Sequence, residues 1–121
     1  MSTENVLVVD DEPDIREGII LLNKIPNRTF KSASNGLEAL EMLSNENFDV
    51  VVSDISMPKM SGTDLIRAAR EKGIQIPFIF ISGLSDSNVN HKLQQCSGWY
   101  LIEKTDIKKV GELISELVKS K

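Results

Sequence analysis

Short apolar runs alternate along the chain with segments of helical period. Val6-Leu7-Val8-Val9, Val50-Val51-Val52 and Phe78-Ile79-Phe80-Ile81 are uninterrupted and rich in β-branched residues. Strands that read apolar without alternation are usually buried on both faces, as in a parallel sheet covered by helices. Thr29 to Ala33 is a weaker strand, as expected of a sheet edge, and Tyr100-Leu101-Ile102 is a fifth.

Helices fill the intervals. Asn35-Gly36-Leu37-Glu38 and Ser61-Gly62-Thr63-Asp64 both resemble capping boxes, an acceptor followed three residues later by a carboxylate. Leu37, Leu40 and Leu43 then mark one buried stripe, and Leu65, Ile66 and Ala69 another. Ile15, Ile19 and Leu22 mark a first helix after Pro13. Val110, Leu113, Ile114, Leu117 and Val118 follow helical spacing in a last one. Ser85 to Gln95 is the weakest helix, with only Val89 and Leu93 as its stripe. Five strand–helix pairs imply an α/β fold, a doubly wound parallel sheet with right-handed crossovers. With no linker, repeat or low-complexity tract, residues 1–121 read as a single domain.

Composition narrows the function. Fourteen Lys and Arg stand against eighteen Asp and Glu, a net charge of −4. An acidic chain is poorly suited to hold nucleic acid by itself, since that needs a basic surface to displace counterions. The apolar runs fall far short of the ~20 residues that span a bilayer. The first residues, Met1 to Asn5, lack the positive and apolar regions of a signal peptide. Cys96 is the only cysteine, so the chain has no internal disulfide. These features predict a cytoplasmic location without membrane insertion.

Four of the five predicted strands run into a reactive side chain: the first into Asp10-Asp11, the third into Asp54, the fourth into Ser82 and the fifth into Lys104. In an open parallel sheet, ligands bind outside the carboxyl ends of the strands, near the topological switch point. These residues therefore converge on one crevice. Three carboxylates and one ammonium leave it near −2, and crowded like charges call for a cation or a proton. Oxygen ligands with no His or Cys select a hard divalent cation such as Mg²⁺. Lys104 and the Ser82 hydroxyl then stand as donors to a phosphoryl group. Gly83 keeps the approach open and offers a backbone N–H.

The run Val6-Leu7-Val8-Val9-Asp10-Asp11-Glu12, then Asp54-Ile55-Ser56-Met57-Pro58 through Gly62, then Ser82-Gly83, then Lys104, resembles the receiver domains of two-component response regulators. The resemblance covers essentially the whole chain. It implies a flavodoxin-like five-stranded sheet in the order 2-1-3-4-5. It also implies that Asp54 is the phosphoacceptor. Asp11, Asp54 and the backbone carbonyl of Ser56 would be Mg²⁺ ligands, with Asp10 acting through a metal-bound water. Lys104 would hold the phosphoryl oxygens, and Ser82 would move to bond them after transfer. The implied donor is a sensor histidine kinase, and the implied recipient a downstream target or output domain. The chain would not be a turnover enzyme; it would catalyse only its own phosphoryl transfer and slow dephosphorylation.

Two features depart from that family. It usually follows its Lys with Pro through a cis peptide, whereas this chain has Lys104-Thr105. It tends to place Tyr or Phe three residues before the Lys, where this chain has Leu101, with Trp99 and Tyr100 just ahead. Other residues read blandly. His91 lies on a polar helix, Cys96 is a small packed hydrophobe without a basic neighbour, and Arg67 and Arg70 form a solvated helix face. Met57-Pro58-Lys59-Met60 lines the crevice from its place after Asp54.

Rival readings fit less well. A haloacid-dehalogenase-like phosphatase needs a second Asp two residues after its nucleophile, where Ser56 stands. A flavodoxin-like electron carrier needs a phosphate loop that Asp10-Asp11-Glu12 would repel. A pseudo-receiver that binds partners without phosphorylation usually lacks one of the site residues, and here every one is present.

Overall fold

The computed structural model describes residues 3–83 and 89–119. In chain order the elements are β1 (Glu4–Val9), α1 (Pro13–Leu22), β2 (Arg28–Ala33), α2 (Gly36–Asn45), β3 (Val50–Asp54), α3 (Gly62–Glu71), β4 (Phe78–Ser82), α4 (Val89–Lys92), β5 (Trp99–Glu103), a 3₁₀ turn (Lys104–Lys109) and α5 (Val110–Lys119). Every strand pair is parallel, and the sheet order is β2-β1-β3-β4-β5. The uninterrupted apolar runs are the interior strands. Val6 to Val9, β3 and β4 are buried throughout, because helices cover both faces. Leu7, Val9, Val51, Phe78 and Phe80 pack beneath α2 and α3, while Val6, Val8, Val50, Val52, Ile79 and Ile81 pack with Ile19 of α1 and Ile114 of α5.

Both anticipated caps are formed. Asn35 Oδ1 accepts from the Glu38 N–H at 2.9 Å and Ser61 Oγ from the Asp64 N–H at 3.2 Å. The buried stripes differ in detail. Leu37 is 50% exposed, and α2 instead buries Gly36, Ala39 and Leu43. Gly36 sits against Met60, where a Cβ would lie 2.5 Å from the carbonyl oxygen. That close approach turns Gly36 inward, and Leu37, about 100° further round the helix, faces water. Leu22 is 54% exposed for a related reason. Buried Asn23, just past α1, takes the inward place, donating to the Ile19 carbonyl at 2.7 Å. Of the weak helix, Val89 to Lys92 is helical and Val89 and Leu93 are buried as expected; residues 84–88 lie outside the described residues.

One surface residue is placed differently from its sequence pattern. Arg70 is half-buried rather than fully solvated. Its guanidinium lies 5.4 Å from the centre of the Phe78 ring and donates to the carbonyls of Ile74 at 2.8 Å and Ser97 at 3.0 Å. Burial lowers its pKa.

Candidate functional site

The crevice is built by register. Val9 pairs with Ser53, Ser53 with Phe80 and Phe80 with Leu101. The next residue on each strand therefore falls in one row: Asp10, Asp54, Ile81 and Ile102, with strands ~4.8 Å apart. Asp54 closes a fully buried strand and is 8% exposed; Asp10 is 1% exposed, and Asp11 stands in solvent at the loop apex. Carboxylate oxygens of Asp10, Asp11 and Asp54 all lie within 4.8 Å of one another.

Local hydrogen bonds hold these groups. Asp10 Oδ1 accepts from the Glu12 N–H at 2.9 Å, and Asp54 Oδ1 from the Ile55 N–H at 2.8 Å. Burial pushes the Asp10 carboxyl up to about 6, aided by the charges of Asp54, Asp11 and Glu12 and opposed by that Glu12 N–H. Water is stripped from a carboxylate that three others already repel. A hard divalent cation on the shared oxygens would relieve that repulsion, and the donor set, oxygen without nitrogen or sulfur, suits one.

Ser82, Gly83 and Lys104 come together as expected. With Glu103 and Thr105 they line a cleft of about 190 Å³ at the ends of β4 and β5. Ser82 is buried and Lys104 exposed. Ser56 is exposed on the loop two residues beyond Asp54. The Lys104–Thr105 peptide is trans, since no described peptide is cis. Thr105 enters the 3₁₀ turn directly. His91 is exposed and stands apart, beside Arg67 and Lys92 in another cleft.

Strand alternation separates the two candidates for the aromatic place on β5. Trp99 packs on the cluster that holds Phe78 and Phe80, and Ile102 on the opposite one. Leu101 thus shares a face with Ser82, and Tyr100 points to the other side. Leu101 is 43% exposed.

One contact at the site was not anticipated from sequence. Arg16 Nη1 donates to the Asp10 carbonyl at 2.8 Å. The signal was available: Arg16 lies one turn into α1, where a long side chain reaches back over the preceding loop.

A family model described as the response regulator receiver domain matches residues 6–115. The chain is 32% identical over 117 residues to the response regulator protein PilR of Pseudomonas aeruginosa, covering 95% of this chain and 26% of that protein. It is 33% identical over 93 residues to the sensor histidine kinase RcsC of Escherichia coli, covering 75% of this chain and 9% of that one. It therefore spans only a quarter of the length of the first relative and less of the second. Among solved structures, the Francisella response regulator 1452 receiver domain aligns with a TM-score of 0.86 at 29% identity over 98% of each chain. TrrA from Thermotoga maritima, in complex with Mg²⁺-BeF, aligns with a TM-score of 0.82 at 28% identity, covering 95% of this chain and 99% of that one.

Proposed function

The chain belongs to the response regulator receiver domain family, and from that premise we propose that it is a phosphorylation switch whose acceptor is Asp54. The observation that carries this reading is the meeting of Asp10, Asp11 and Asp54 oxygens within 4.8 Å, with Ser82 and Lys104 lining a cleft at the ends of the next two strands of the sheet. Mg²⁺ is the cation that the oxygen set fits: Asp11, Asp54 and the Ser56 carbonyl would hold it, with the Asp10 carboxylate acting indirectly beside them. Bound there, it would supply charge neutralisation for an incoming phosphoryl group.

Asp54 contributes the nucleophile. A carboxylate oxygen forms the new O–P bond as the P–N bond of a phosphohistidine breaks and its electron pair returns to the imidazole. Lys104 and Ser82 donate to the phosphoryl oxygens, with the Gly83 N–H beside them. Ser56 offers no carboxylate for acid–base help, so hydrolysis of the acyl phosphate lacks that proton carrier. The donor is a sensor histidine kinase. The output goes to a downstream target or an attached output domain, without direct nucleic-acid contact by this acidic chain.

The test is incubation with acetyl phosphate and Mg²⁺, followed by mass spectrometry. Wild type gains one hydroxylamine-sensitive phosphoryl group, and Asp54→Asn gains none. Phosphate on Ser82 or His91, with Asp54→Asn unaffected, overturns the assignment. No phosphoryl gain and no response to Mg²⁺ would favour a pseudo-receiver.

A further inference from the structure

Asp10 is held at each of its polar groups. Its N–H donates to Ala33 at 3.2 Å, its carboxylate accepts from the Glu12 N–H at 2.9 Å, and its carbonyl accepts from Arg16 Nη1 at 2.8 Å. The backbone N–H of Arg16 closes on the Glu12 carbonyl at 3.1 Å. The loop from Asp10 to Glu12 is thus clasped at both ends by one residue of α1. Asp11 sits between those ends, exposed, and among the described residues no hydrogen bond or ion pair to its own carboxylate orients it. Only the loop backbone aims it at Asp10 and Asp54.

We propose that Arg16 is a positioning residue of the acidic pocket: its bond to the Asp10 carbonyl fixes the loop that presents Asp11 to a divalent cation. The inference rests on the proposed Mg²⁺ reading and adds a residue to it. Arg16 forms no ion pair with a carboxylate among the described residues, so its donor is committed to the backbone. Outer groups that orient metal ligands commonly change affinity by about tenfold or more when removed.

The sign of the effect separates positioning from charge. As a bare cation near the pocket, the guanidinium repels a dication, and deleting it would tighten Mg²⁺ binding. As a clasp, its deletion loosens binding. Mg²⁺ is titrated into wild type, Arg16→Met and Arg16→Lys at pH 7.5, following backbone amide shifts of Asp11, Glu12 and Ile55, with metal-free melting temperatures measured alongside. Arg16→Met should weaken Mg²⁺ binding about tenfold, whereas Arg16→Lys, which keeps a donor and the charge, should recover most of the loss. Unchanged or tighter binding in Arg16→Met overturns the inference and leaves the Mg²⁺ reading standing. Wild type that binds no Mg²⁺ overturns both. Should Arg16→Met not fold, Arg16→Gln, too short to reach the carbonyl, must show the same weakening, and wild-type affinity in it refutes the proposal.

Discussion

Gly62 donates its N–H to the Ile55 carbonyl at 2.8 Å, and a Cβ on it would stand 2.3 Å from the carbonyl oxygen of Asp54. The start of α3 is therefore pressed directly on the strand end that carries the proposed acceptor. The same Cβ would meet the Phe80 ring at 3.0 Å, so neither neighbour can retreat without disturbing the core. Overpacking of this kind typically costs about 1–3 kcal/mol. Gly62→Ala should lose stability in that range by urea unfolding and slow acetyl-phosphate labelling of Asp54. A variant as stable and as readily labelled as wild type would show that the loop yields freely.

Asp10 gives the fold a pH dependence of known sign. Its carboxyl is pushed up to about 6 from the ordinary 3.8, chiefly by burial. A group easier to protonate when folded contributes stability that is full below pH 3.8 and is lost as pH rises through 6. Two pKa units correspond to roughly 3 kcal/mol at most. Asp10→Asn keeps the oxygen that accepts from Glu12 and removes the charge. Without Mg²⁺ it should be more stable than wild type at pH 8, with about half that gain at pH 5. Saturating Mg²⁺ should reduce the gain by favouring the ionised wild type. Urea unfolding at the two pH values reads this out, and a gain independent of pH would contradict it.

A second buried charge lies away from the crevice. Arg28 Nε meets Glu4 Oε1 at 2.7 Å, with side-chain exposures of 2% and 8%. Its other nitrogens donate to the Asn23 carbonyl at 2.6 Å, the Gly111 carbonyl at 3.1 Å and Ser115 Oγ at 2.9 Å. This side chain ties β1, β2, the end of α1 and the start of α5 together. Removing one partner of a buried pair strands the other charge, at about 3–5 kcal/mol. Arg28→Met should cost that much, and adding Glu4→Gln should restore part of it. Strict additivity in a double-mutant cycle would show the pair to be uncoupled.

Trp99 should be silent towards Mg²⁺. It opens β5, its ring 6.4 Å from that of Phe80 and its indole N–H donating to the Cys96 carbonyl at 3.1 Å. At about 3.3 Å per residue, the strand carries it roughly 16 Å from Lys104. Tryptophan emission should stay constant through a Mg²⁺ titration that shifts the Asp11 and Ile55 amides. A strong quench would place the cation elsewhere.

The sequence by itself determined the interior strands, the two helix caps and the strand ends that meet at the crevice. Each is written locally: a fully buried strand must be apolar at every position, and a cap needs its acceptor and carboxylate three residues apart. Parallel pairing then puts distant strand ends in one row, so Asp10, Asp54, Ser82 and Lys104 could be gathered without coordinates. What only the tertiary structure decided depends on how elements roll and touch. Leu37 carries the periodicity of a buried residue, yet Gly36 takes the inward place because Met60 leaves room for nothing larger. Arg70 reads as a surface residue until Phe78 and Ser97 close around it. Tyr100 and Leu101 are adjacent in sequence, and only the register of β5 on β4 assigns Leu101 to the face of Ser82. Arg16 reaches Asp10 only once α1 is docked on the sheet. Periodicity measures how often a helix or strand turns inward; which neighbour waits there is a property of the assembled core.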